Sequence, residues 1–156
     1  MARQKKNRRQ KLGSEAYSKP GFFRRLAAVF YDLLLLIAVL FVATLLLLPL
    51  NKGEAFSAGQ LYYPLYLLLV SFFFYAWFWT HGGQTLGLRA WKIKVLTEDQ
   101  MPISWKQAAL RFFTAMLSWG FCGLGFLWIL VDKSQRSWHD RLSKTALYLE
   151  PNQTHL

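Results

Sequence analysis

The sequence predicts an all-α membrane protein: two transmembrane helices, a third glycine-broken apolar segment, and a short β-like cytoplasmic loop. Three observations carry that prediction. Residues 33–50 run eighteen positions without a charge, residues 61–80 run twenty more, and residues 112–131 form a third block of twenty with three glycines near its middle. Helices of this length and character are what a hydrocarbon layer about 30 Å thick requires. Charged residues lie almost wholly between the blocks, although the chain is 54% hydrophobic and carries a formal charge of +11. In a soluble protein that charge would suggest nucleic acid. In a membrane protein it reports basic loops and anionic lipid headgroups, so no nucleic-acid partner is expected.

Three regions follow from composition. Residues 1–19 form a basic arm that reads as disordered and attracted to anionic headgroups. Residues 20–149 form the transmembrane domain, and residues 150–156 a flexible tail. The long basic start and the absence of a small-residue cleavage site argue against a secretory signal peptide.

The first span reads from residue 26 to residue 50, with Thr44 its only polar residue past Asp32. The second is edged by Tyr62, Tyr63 and Tyr66 at one end and Tyr75, Trp77 and Trp79 at the other, as ring belts at headgroup level are. Pro64 falls near its start, where a missing backbone donor matters least.

Orientation follows from charge. Residues 1–25 carry nine basic residues and one acid, residues 81–111 carry five and two, and the loop between the spans has one lysine and one glutamate. The positive-inside rule puts the N-terminus and the second loop in the cytoplasm, with the short loop outside. In that second loop Trp91-Lys92-Ile93-Lys94-Val95-Leu96 alternates as a strand does, and a turn follows, so a short strand or local hairpin is expected. Ser104 then caps a new helix.

The third block poses a conflict. A single crossing would carry four basic residues of segment 132–144 outside. Gly120, Gly123 and Gly125 weaken a helix at mid-block and permit a turn. A helical hairpin that dips into the bilayer and returns settles both points and leaves the C-terminus cytoplasmic. The alternative is one span whose glycines pack against a neighbouring helix.

Asp32 stands where the first apolar run begins. Arg25 lies two helical turns before it on the same face, about 10 Å away along the axis. A bare carboxylate at that depth costs roughly 2.5–3.5 kcal/mol on insertion scales, so a partner is expected. Arg111, Arg136, His139 and Arg141 are the candidate partners in a supporting polar cluster, with Asp140 and Asp132 as further acids. Asp32, Asp140, Asp132 and Arg25 are therefore the candidate ion- or proton-binding residues. The simpler reading is that Asp32 sits at the interface and only sets helix depth.

Other chemistry is not visible. The three histidines lack metal-ligand spacing, one cysteine forms no thiolate cluster, and no nucleophile elbow, phosphate loop or dinucleotide fingerprint occurs, so neither enzyme activity, metal nor cofactor is expected. The stretch Gly82-Gly83-Gln84-Thr85-Leu86-Gly87 has the look of a glycine loop but lacks a following lysine–serine pair.

Taken in order, RLAAVFYD at 25–32, GQTLGLRAWKIKV at 83–95 and DKSQRSWHDRLSKT at 132–145 resemble the RDD family, small membrane proteins named for one arginine and two aspartates. The resemblance implies that Arg25 and Asp32 are two of the three, with Asp140 the third and Asp132 its competitor. It departs from the family pattern at Leu88 and at Ser143-Lys144. It implies a bacterial or archaeal inner-membrane protein of poorly defined function, for which transport is the usual suggestion and some relatives resemble sodium/proton exchangers. In a transport role Asp32 and Asp140 would bind or exchange a cation, with Arg25 tuning them. Three short membrane elements are few for a path, so such a role requires a homo-oligomer. The rival is a non-catalytic accessory or assembly module whose polar cluster is structural.

Overall fold

The computed structural model describes residues 18–57, 59–121, 123–132 and 136–150. The expectations for the basic arm up to residue 17, for Cys122 and for residues 151–156 lie outside these.

Helix α1 (Phe22–Leu47) begins after Pro20 and Gly21, the latter extended at the cap, and continues through a 3-10 turn (Leu48–Asn51) carrying Pro49. Its 26 residues reach about 39 Å, enough to cross a bilayer with tilt. Only Arg25, Ala28, Asp32 and Ala43 are buried, a narrow stripe that turns two of the three charged residues inward and leaves Arg24 and leucines such as Leu33, Leu34 and Leu46 exposed. Helix α2 (Tyr62–His81) is the second span, with Pro64 in its first turn. Far from the charges the two helices are tied by Tyr66 Oη donating to the Ala43 carbonyl at 3.2 Å and by a 3.1 Å contact between Thr44 Oγ1 and Tyr63 Oη.

A short helix α3 (Leu86–Ala90), capped by Thr85, leads into strand β1 (Ile93–Thr97). The turn expected after β1 is present: Thr97 N donates to Met101 O at 2.9 Å, and Gln100 has φ 61°. It does not build a local hairpin. The partner of β1 is β2 (Thr145–Leu149), antiparallel, with Val95 opposite Leu147 and Thr97 opposite Thr145. Ile93, Val95 and Leu147 join Ala28, Ala76, Trp79, Leu88, Ile103, Ala108 and Phe112 in the main core. That core lies where the spans meet the sheet, so the spans are anchored at one end.

Helix α4 (Trp105–Gly120) starts with the Ser104 cap that the sequence indicates, completed by Gln107 reaching back to Ser104 N at 3.0 Å. It breaks where the glycines cluster. Gly123 takes φ 76°, a left-handed conformation that a side chain disfavours. Helix α5 (Leu124–Leu127) and a 3-10 turn (Trp128–Leu130) then leave at 105° to α4. Helix α6 (Trp138–Leu142) and β2 bring the chain back: Leu149 N donates to Ser18 O at 2.8 Å, joining the two ends of the described chain. Both ends of the third block meet α6 on the face that carries the sheet, Arg111 through Asp140 and Asp132 through Arg141, and the 105° bend lies between them.

Candidate functional site

Two buried polar constellations stand at that face, and they are separate.

The first centres on Asp140. Residues 137–140 read Ser-Trp-His-Asp, and Ser137 caps α6 while Asp140 reaches back to it, a capping box written with aspartate. This turn fixes the carboxylate. Asp140 accepts a short hydrogen bond from Arg111 Nη1 and one from Ser137 N at 3.2 Å, and Arg25 Nη1 lies 3.8 Å away. Arg25 is held by its Nε donating to Pro20 O at 2.9 Å. Arg111 also donates to Thr145 Oγ1 at 2.7 Å and lies over the Trp79 ring, 5.2 Å from its centroid. Thr145 in turn meets Ser143 Oγ at 2.7 Å. One carboxylate thus joins α1, α4, α6 and, through Thr145, β2. Arg25 and Asp140 are each 1% exposed, so the ion pair is sealed from solvent.

Burial alone would raise the Asp140 pKa, but the Arg111 guanidinium and the bonds from Ser137 and Arg111 outweigh it. Together they hold the carboxyl well below the usual carboxylate range. His139, with Nε2 3.9 Å from Asp140, is pushed down to about 4 by burial and by Arg111 and Arg25, against the pull of Asp140. That direction favours the uncharged ring at neutral pH.

The second constellation is Asp32. Its Oδ2 accepts a short hydrogen bond from Thr85 Oγ1 and its Oδ1 accepts Gly87 N at 2.9 Å. A Cβ on Gly87 would sit 2.8 Å from Asp32 Cγ, so the close approach requires glycine. The expectation that Asp32 takes a cationic partner from the cluster is corrected here: both its hydrogen-bond donors are neutral. The physical reason is supply. Arg25 and Arg111 are already turned to Asp140, and a loop helix with free N–H groups lies across α1 at Asp32.

The remaining predicted residues form an outer layer. Asp132 accepts from Arg136 N at 3.0 Å and from Arg141 Nη2 at 2.6 Å, and Arg136 pairs with Glu98. Of the two tail aspartates, Asp140 is the one brought to Arg25. Sequence reasoning missed Thr85, Gly87, Ser137, Ser143 and Thr145. The glycine loop was the available signal for the first two, and the Ser-x-x-Asp cap for Ser137. Among the described residues no group of three or more His, Cys, Asp or Glu is placed to hold a metal ion.

Two apolar spans, a broken third element and charges drawn into buried pairs at one end define a small integral membrane protein. A model of the RDD family matches residues 19–144, so the chain belongs to that family. Comparison with curated proteins and with solved structures gives no match.

Proposed function

We propose that this chain is a non-catalytic membrane module of the bacterial inner membrane, an accessory or assembly factor whose buried arginine–aspartate cluster is structural. The observation that carries this is the pinning of Asp140. A carboxylate gripped by Arg111, neighboured by Arg25 and tied into a helix cap is poorly suited to releasing a transported ion, because removing its counter-charges leaves an uncompensated buried charge. The basic residues at the ends of the spans support a cytoplasmic position for this face, in contact with anionic headgroups.

A second reading, cation or proton transport by a homo-oligomer, draws support from Asp32. It is 4% exposed, and among the described residues its donors are a hydroxyl and a backbone N–H, which tolerate either a charged or a neutral carboxyl group.

Proton flux driven by a cation gradient in proteoliposomes tests the two readings. The module reading expects flux no greater than in empty vesicles, and loss of Asp140→Asn from the membrane. Flux that Asp32→Asn abolishes at unchanged protein level would overturn it in favour of transport.

A further inference from the structure

We infer that the α4–α5 hairpin is a lipid-docking surface confined to one leaflet, its partner being the acyl chains and headgroups on the side of the Arg25–Asp140 cluster. This goes beyond the proposed function and holds whether or not anything is transported.

Depth gives the first argument. Arg111 is tied to Asp140 at the entry face, and Gly120 ends α4 nine residues later, about 14 Å along a helix axis. That is close to half of the roughly 30 Å hydrocarbon thickness. The chain then turns by 105°, and beyond the turn Asp132 is bonded to Arg141 and Asp140 to Arg111. A segment with both ends held at one face and an arm of that length displaces lipid from one leaflet only.

The distribution of side chains gives the second argument and decides between lipid and a second copy of the chain. Helices that pack against helices in a bilayer present small residues. Here Ala108 and Ser118 of α4 and Gly125 of α5 are turned inward, and Ser118 fills the space a Cβ on Gly125 would need. The outward face is bulky and apolar: Phe113, Leu117, Trp119, Phe121, Leu124 and Leu130, each more than half exposed. Such a face suits fluid acyl chains; Gly120, the small residue open on it, is only the last position of α4. Trp105 and Trp138 flank the hairpin at the cluster end, where amphipathic rings meet headgroups.

Spin labels on the full-length protein test this. Cysteines introduced in a Cys122→Ser background at Phe121, Leu130 and Leu142 are labelled in vesicles of phosphatidylcholine and phosphatidylglycerol. Collision rates with oxygen and with a water-soluble nickel chelate then report depth. The expected result is a label at 121 that oxygen reaches and nickel does not, a shallower one at 130, and one at 142 open to nickel from the cluster side only. The inference is overturned if the label at 142 is reached only from the side opposite the N-terminus, since the block then crosses. It is also overturned if labels at 121 on different copies broaden each other's spectra, since protein then covers the face. Phe113→Cys, on α4 before the break, serves as the second probe where Phe121→Cys fails to fold.

Discussion

Asp32 and Gly87 are matched across two elements 55 residues apart in sequence: the aspartate accepts the glycine N–H at 2.9 Å, and the space a side chain on the glycine would occupy is the aspartate's own. Gly87→Ala must therefore push α3 off α1. We expect a loss of about 1–3 kcal/mol, the usual range for overpacking, read as a lower detergent-melting temperature. Gly120→Ala, where nothing lies within 4 Å, serves as the control and should leave melting within experimental error or slightly raise it.

Thr85 holds the same junction by two bonds, accepting Leu88 N at 3.3 Å and donating to Asp32. Thr85→Val keeps the shape and removes both, so it should cost about 1–2 kcal/mol. Thr85→Ser should recover most of the loss. Equal melting of the valine and serine variants would show that the hydroxyl does not matter.

Breaking the sealed cluster on one side should be worse than dismantling it. Asp140→Asn leaves Arg25 and Arg111 buried beside a neutral group, a loss on the order of 3–5 kcal/mol. Replacing all three together by apolar residues of similar volume (Arg25→Met, Arg111→Met, Asp140→Leu) should restore much of that stability. The comparison is made by membrane abundance and thermal melting, and a triple variant less stable than Asp140→Asn would contradict the structural role.

Acid should act in two stages. The folded His139 stays neutral down to about pH 4, whereas the unfolded ring takes a proton near its ordinary 6.5. The unfolded state binds more protons in that interval, so stability falls as pH drops from 6.5 towards 4, and His139→Gln should flatten the decline. Asp140 has the depressed pKa of a paired carboxylate. Its contribution is complete above its ordinary value of 3.8 and is lost as pH falls below that towards the lower folded value. Denaturant midpoints measured from pH 7 to pH 2 separate the stages. A His139→Gln curve parallel to wild type between pH 6.5 and 4 would refute the first.

Much of this protein is written locally. Charge-free runs long enough for a bilayer, Pro64 near the start of a span, the Ser104 cap and the glycine break each depend on residues within a few positions of one another. Backbone hydrogen bonding in lipid leaves few alternatives. The sequence by itself therefore determined the two spans, the interruption of the third block and the inward face shared by Arg25 and Asp32. Tertiary structure decided the pairings. Asp140, more than a hundred residues away, took Arg25, while Asp32 took the donors of Thr85 and Gly87, and β1 took a strand from the far end of the chain. Attraction between charges and between strand edges depends on distance in space, and the sequence lists the candidates without their separations.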